Sequence, residues 1–167
     1  LLKELNKLRS GVDEIFAVCM SIKLMWAAKI QSDHQALVRE PTHAGPRLLK
    51  LGSVEERIAA SKFNERTGIV AHEELIYYWP RFPEQAYGKE RRKILASALQ
   101  EMMKDAPTNA ILKHPGYRFF GAALTRRPDG KAFMTIVLAD SKEEQCHVCY
   151  MLGNGVIARK YAKETDD

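Results

Sequence analysis

His43 stands in a loop-like stretch between prolines, Pro41-Thr42-His43-Ala44-Gly45-Pro46. An imidazole there can carry a proton near neutral pH or act as a cleft ligand. A surface histidine held by one hydrogen bond reads the same way. His72-Glu73-Glu74 sets two adjacent carboxylates beside a second imidazole. Neighbouring residues on a strand face opposite ways, so at most one of these acids enters a given cleft. The other is solvated, or either caps nearby amides. Asp105 precedes Thr108 by three residues. That spacing suits a base beside a hydroxyl, and it equally describes a helix boundary with the carboxylate on free amides. His34 reads as exposed on a polar helical stretch, and His114, before Pro115, as a loop residue.

Cys146-His147-Val148-Cys149 has the C-x-x-C spacing. One pair cannot fill a tetrahedral zinc shell, which takes about four ligands. A redox pair belongs at a helix N-terminus, and this stretch reads as strand, so a chance spacing, a disulfide or redox role, and a metal role stay open in that order. Cys19, in Ile15-Phe16-Ala17-Val18-Cys19-Met20, is most simply a small buried hydrophobe. Tyr77, Tyr78, Trp79, Phe82 and Tyr87, with Arg81 among them, put five aromatics into eleven residues. They need burial over the helical layer, or they line an apolar pocket or a protein contact, where aromatics and arginine make hot spots.

The motifs of several large enzyme classes are missing. There is no Gly-x-Gly-x-x-Gly and no Gly-x4-Gly-Lys-Ser/Thr phosphate cradle. There is no Gly-x-Ser-x-Gly elbow. His72-Glu73-Glu74-Leu75-Ile76 begins like a zincin motif but ends in isoleucine. Lysine and arginine total 26 against 21 acidic residues, a net charge of +5. The basic runs, Lys89-Glu90-Arg91-Arg92-Lys93 and Arg126-Arg127, are short and not interleaved with aromatics as a single-strand-binding surface needs. No stretch reaches the roughly 18 consecutive apolar residues of a membrane span. The chain opens Leu1-Leu2-Lys3 without an initiator Met and reads as a processed or trimmed piece.

Positioning these groups falls to elements that change period along the chain. Residues 4–38 read as mostly helix, with Leu5, Leu8, Val12, Ile15, Phe16 and Cys19 at three- and four-residue steps. Ser53-Val54-Glu55-Glu56 is a capping box opening a short helix. Gly68 to Leu75 is short and extended or irregular, and Tyr77 to Pro83 reads as a loop. Tyr87 to Met103 carries Ile94, Leu95, Ala98, Leu99 and Met102 on one helical face. Strands follow at 119–124 and 132–139, joined by a turn at Pro128-Asp129-Gly130-Lys131. A further hairpin is expected from Gln145 to Tyr161. With 167 residues, this is one α+β domain with helices first and hairpins last.

Leu5-Asn6-Lys7-Leu8-Arg9 looks like an "LN..R" helix opening, and the Pro41–Pro46 loop is similar to "FFSHTSP". Ala71-His72-Glu73-Glu74-Leu75 is similar to "GENI" or "GENL". Met103 to Leu112, continued by Pro115 to Gly121, resembles "MNSPGHRANIL.P.Y..VG", and Phe133 to Ala139 stands where "YVTQVFA" would. In this order the segments resemble the CAP superfamily, also called SCP-like or the cysteine-rich secretory, antigen 5 and pathogenesis-related 1 family. The resemblance covers about 5–139 of a single domain spanning 1–167, and 140–167 would be a C-terminal hairpin extension. It implies a three-layer α-β-α sandwich around an antiparallel sheet.

Many members hold two histidines and two acids in a central cleft, and some bind zinc there. The resemblance puts the first histidine on His43, the first glutamate on Glu73 and the second acid on Asp105. The second histidine position falls on Thr108, a poor zinc ligand, so the metal site reads as degenerate and no cofactor is expected. The expected function is non-catalytic recognition of a protein partner, or of a lipid or sterol. The contact would be made through the cleft or through Tyr77, Tyr78, Trp79, Arg81, Phe82 and Tyr87. Positive charge would also favour a peripheral membrane contact. One alternative is a metal-assisted or acid–base hydrolase using His43, Glu73 and Asp105, with Thr108 holding a water. Another is a nucleic-acid-binding module with a basic face of Arg91, Arg92, Arg126 and Arg127. The resemblance implies a secreted or cell-surface protein, and a cytoplasmic one stays open.

Overall fold

A strand buried along its whole length organises the molecule. In the computed structural model, which describes residues 1–9, 17–66, 71–84, 86–142 and 144, this is β4 (Ala132–Ala139). Its sequence, Ala-Phe-Met-Thr-Ile-Val-Leu-Ala, lacks polar alternation because both faces are covered. In chain order the elements are α1 (Leu2–Arg9), β1 (Cys19–Met20), α2 (Ile22–Val38), a 3-10 turn at Arg47–Leu49, α3 (Val54–Ala60), β2 (His72–Trp79), α4 (Gly88–Met102), α5 (Ala106–Leu112), β3 (Phe119–Arg126) and β4.

The sheet order is β1-β3-β4-β2. β4 pairs antiparallel with both β2 and β3, and the two-residue β1 runs parallel to β3. One face carries Leu75, Phe120, Met134, Ile136 and Leu138 against Leu2 and Leu5 of α1, Ala98, Leu99 and Met102 of α4, and Leu112 of α5. The other face carries Phe119, Val137 and Ala139 against Leu24 and Ala28 of α2 and Ile58 of α3. The architecture is thus the α-β-α sandwich expected from the sequence, with a sheet that is antiparallel except at its short parallel edge.

Close approach of α2 to the sheet depends on Gly121. A Cβ there would lie 2.2 Å from the Leu24 carbonyl carbon and 2.3 Å from the Met25 nitrogen. Polar cross-ties fix the same interface, with Gln35 donating to Thr135 Oγ1 at 2.9 Å and Ser32 meeting Thr125 at 2.9 Å.

Three sequence expectations are corrected. The mostly helical stretch expected over 4–38, with its interruption placed at Gly11, is also broken at 19–20, which form β1, and α2 starts afresh at Ile22 under the Ser21 cap. Cys19 and Ser21 donate their amides to Arg118 and Phe120 carbonyls at 2.7 and 2.8 Å. The loop expected at 77–83 begins later, since Tyr77, Tyr78 and Trp79 complete β2 and only Pro80 ends it. Cys19 is disulfide-bonded rather than simply a small hydrophobe. The chain's other cysteines, Cys146 and Cys149, and the hairpin expected from 145 lie outside the described residues.

Candidate functional site

α3 begins at the Ser53 capping box: Ser53 accepts from the Glu56 amide at 3.2 Å, and Glu56 returns the bond to the Ser53 amide at 3.0 Å. The capped helix carries Arg57 fully out of water. Its guanidinium donates to the carbonyls of Leu51 and Gly52, both at 3.1 Å, and to Glu74 Oε2 at 2.5 Å. One side chain therefore ties the loop before α3 to the centre of β2. Gly45 makes room for this arrangement. A Cβ there would sit 2.2 Å from the Leu51 oxygen and 2.4 Å from the Arg57 Nη1.

Register decides which acid enters the site. Glu74 stands opposite Val137 of the α2/α3-side core, whereas Glu73 stands opposite Leu138 of the α1/α4/α5-side core. Glu74 is buried, with Oε2 on Arg57 and Oε1 3.0 Å from His43 Nδ1. The hydrogen bond to Glu74 raises the His43 pKa above its usual value, and partial burial and the Arg57 charge oppose that rise. Gln31 reaches out of α2 to the Thr42 and Ala44 carbonyls and so positions the His43 loop from below.

His43 and Glu74 open onto a cleft of about 620 Å³. Arg47, Lys50, Gly52, Val54 and Glu55 line the rest of it. Glu55 is itself paired with His72 at 3.0 Å, and its own amide and the Ser53 hydroxyl hold its pKa down.

The four residues assigned to one cleft from the sequence fall in two places. His43 belongs to the cleft on the α2/α3 side. Asp105 and Thr108 begin α5, whose Leu112 packs in the core of the opposite face. Asp105 caps that helix, accepting the Thr108 amide at 3.0 Å and its hydroxyl at 2.7 Å. Those bonds lower its pKa. Glu73 lies on the α5 side too, where its charge adds to burial in raising the Tyr117 pKa.

The aromatic run is similarly divided. Tyr77, Trp79 and Phe82 stack edge to face in sequence, and Tyr78 packs on Phe133. Arg81 and Tyr87 remain exposed. Glu74 rather than Glu73 pairs with His43. Arg57 was missed by sequence reasoning, and its place next to apolar Ile58 in a capped helix was the only signal available.

These residues do not fit the family's zinc. His43 and Glu74 would supply two donors, and the Arg57 cation already occupies one Glu74 oxygen. Among the described residues, no three His, Cys, Asp or Glu side chains come together as a metal site. Arg126 and Arg127 do not present a free basic face either. Arg126 donates to the Phe82 carbonyl, and Arg127 to Asp129 and to the Ala36 carbonyl. Among the described residues, no helix is long and apolar enough to cross a membrane.

No family model matches the chain, and no curated protein matches it in sequence. Solved structures do share its fold. An outer surface protein from Borrelia burgdorferi superposes with a TM-score of 0.61 at 14% identity, over 84% of this chain and 90% of that one. An extracellular protein containing an SCP domain from Bacillus anthracis str. Ames superposes with a TM-score of 0.57 at 15% identity, over 81% of this chain and 37% of that one. At such identities the likeness is one of fold, to CAP/SCP-like structures.

Proposed function

We propose that the chain is a divergent CAP-like domain with a non-catalytic recognition role, and that the His43–Glu74 cleft is where it holds a lipid, a sterol or a segment of a protein partner. The observation that carries this reading is the state of Glu74. Each of its two oxygens accepts a hydrogen bond, one from Arg57 and one from His43, so the buried acid ties the cleft wall together. The aliphatic parts of the lining, Ala44, Val54 and the stems of Arg47 and Lys50, supply contact area around a few fixed polar groups.

An extracellular setting goes with this reading. The two similar structures are an outer surface protein and an extracellular protein, and the disulfide at Cys19 suits an oxidising compartment.

Ala44→Trp tests the proposal, because Ala44 is exposed on the cleft wall and an indole there fills the cleft without entering the core. The wild-type protein should retain labelled sterol or fatty acid, or a captured peptide, through gel filtration. Ala44→Trp should lose that retention with an unchanged melting temperature. Retention unaffected by Ala44→Trp would move the site elsewhere. Ester or peptide turnover abolished by His43→Gln would replace recognition with hydrolysis.

A further inference from the structure

The 3-10 turn Arg47–Leu49 projects two leucines away from the protein. Leu48 is fully exposed, at 101% of its reference area, and Leu49 is 68% exposed. Two consecutive large aliphatic side chains held out in solvent make a small contiguous apolar patch, the kind of feature that marks an interaction site. Arg47 precedes them and Lys50 follows. No ion pair among the described residues uses either cation.

The tip is built rather than slack. The Leu49 and Lys50 amides bond to the Pro46 and Arg47 carbonyls at 3.0 Å, and the Gly45 amide bonds to the Gly52 carbonyl at 2.7 Å. Lys50 takes a left-handed conformation, φ 54°, to close the turn. Buried Arg57 holds the Leu51 and Gly52 carbonyls from beneath. The ordering entropy that a flexible loop would lose on docking is thus largely absent.

We infer that the Arg47-Leu48-Leu49-Lys50 tip docks the protein on an anionic lipid surface, the leucines entering the interface while the two cations meet negative headgroups. The order cation, apolar, apolar, cation matches that boundary, because long basic side chains keep their charge at headgroup level while neighbouring aliphatic groups go deeper. Each cation adds about five-fold to binding at an anionic surface, from roughly 1 kcal/mol apiece. Contact on this scale is weak and reversible, which suits a protein whose cleft, bordered by the same Arg47 and Lys50, faces the membrane only while docked. The tip shares Arg47 and Lys50 with the cleft of the recognition reading, whereas Leu48 and Leu49 do not line the cleft, so variants of the leucines test the tip and Ala44→Trp tests the cleft.

Flotation with phosphatidylcholine vesicles, with and without a third phosphatidylserine, tests it. The wild-type protein should float with the anionic vesicles and much less with the neutral ones. Leu48→Ser/Leu49→Ser should weaken binding about tenfold or more, and Arg47→Glu/Lys50→Glu should abolish the preference for phosphatidylserine. Both leucines are exposed, so the first variant should keep the wild-type melting temperature. Leu48→Trp should show a blue-shifted emission only with anionic vesicles. Ala44→Trp, which fills the cleft, should float like the wild-type protein, and its failure to do so would make the lipid contact a property of the cleft. Absence of flotation at millimolar lipid, equal binding to both vesicle types, or wild-type binding by the serine variant would each overturn the assignment, the last pointing to a protein partner for the exposed leucines.

Discussion

Arg57 and Glu74 form an ion pair removed from solvent on both sides, with side-chain exposures of 0% and 3%. Removing one partner leaves the other charge buried without compensation, at a cost of about 3–5 kcal/mol. Arg57→Ala also strips the Leu51 and Gly52 carbonyls of their donor. It should lower the melting temperature by about 6–20 °C, on the scale of 2–4 °C per kcal/mol for a chain of this size, as read by calorimetry. His43 sits on the same carboxylate but is largely exposed, so its contribution is that of a surface pair, about 0.2–1 kcal/mol. Its pKa is raised in the folded state. The stability it adds is therefore full below the ordinary value of 6.5 and fades as pH rises through the raised folded value. A melting-temperature profile from pH 5 to 9 should fall through that window, and His43→Gln should flatten the fall. A wild-type profile retained in His43→Gln would assign the dependence to another group. The choice between Glu73 and Glu74 was not legible in the sequence. The run His72-Glu73-Glu74-Leu75-Ile76-Tyr77-Tyr78-Trp79 does not alternate polar with apolar, and side chains of both phases are half-buried, so neither phase is marked as solvent-facing. The motif similarity set Glu73 at the site, and the strand register sets Glu74 there. Two other motif residues turn out to be structural. Asn6 accepts from the Val18 amide at 2.8 Å and donates to its carbonyl at 3.1 Å, while Arg9 collects the carbonyls of Leu112, His114 and Tyr117.

Among the elements, those with strong local signals were the ones read correctly from sequence. The capping box at Ser53, the apolar face of α4 and the Asp129-Gly130 turn between β3 and β4 each declare themselves within a few residues. β1 does not, since two residues of strand are defined by a partner about a hundred positions away. β2 was misjudged at its end because Pro80 and Pro83 suggested a loop, although Tyr77 to Trp79 are good strand formers beside Phe133 and Met134. The contact between α2 and β3 was equally hidden, for nothing local marks Gly121 as the point of closest approach. Gly121→Ala tests how rigid that contact is. The new methyl would meet backbone atoms of Leu24 and Met25, which cannot turn aside as a side chain would. Overpacking of this kind costs about 1–3 kcal/mol, occasionally more, and the urea midpoint should fall accordingly. Ser53→Ala should cost less, about 1 kcal/mol for the lost cap, and should leave the position of α2 untouched. An unchanged midpoint in Gly121→Ala would mean that the helix shifts freely over the sheet.

At the scale of the whole molecule, the sheet is a partition. Its central strand is buried on both sides, so a polar group on one face communicates with the other only through packed apolar side chains. His43 and Glu74 lie on one side, and Glu73, Asp105 and Thr108 on the other. Residues that act as one catalytic unit show strongly non-additive effects, because losing any member disables the rest. Residues that are far apart and share no partner contribute independently. His43→Gln and Asp105→Asn should therefore shift the melting temperature by amounts that simply add in the double variant. Arg57→Ala combined with Glu74→Ala should instead cost much less than the sum of the two single changes, because the second substitution removes the charge stranded by the first. Calorimetry on these two cycles separates the architectures directly. Additivity in the first and strong coupling in the second fit a cleft built from one face of the sheet. Strong coupling between His43 and Asp105 would require the two faces to communicate, and would restore the single acid–base site expected from the sequence.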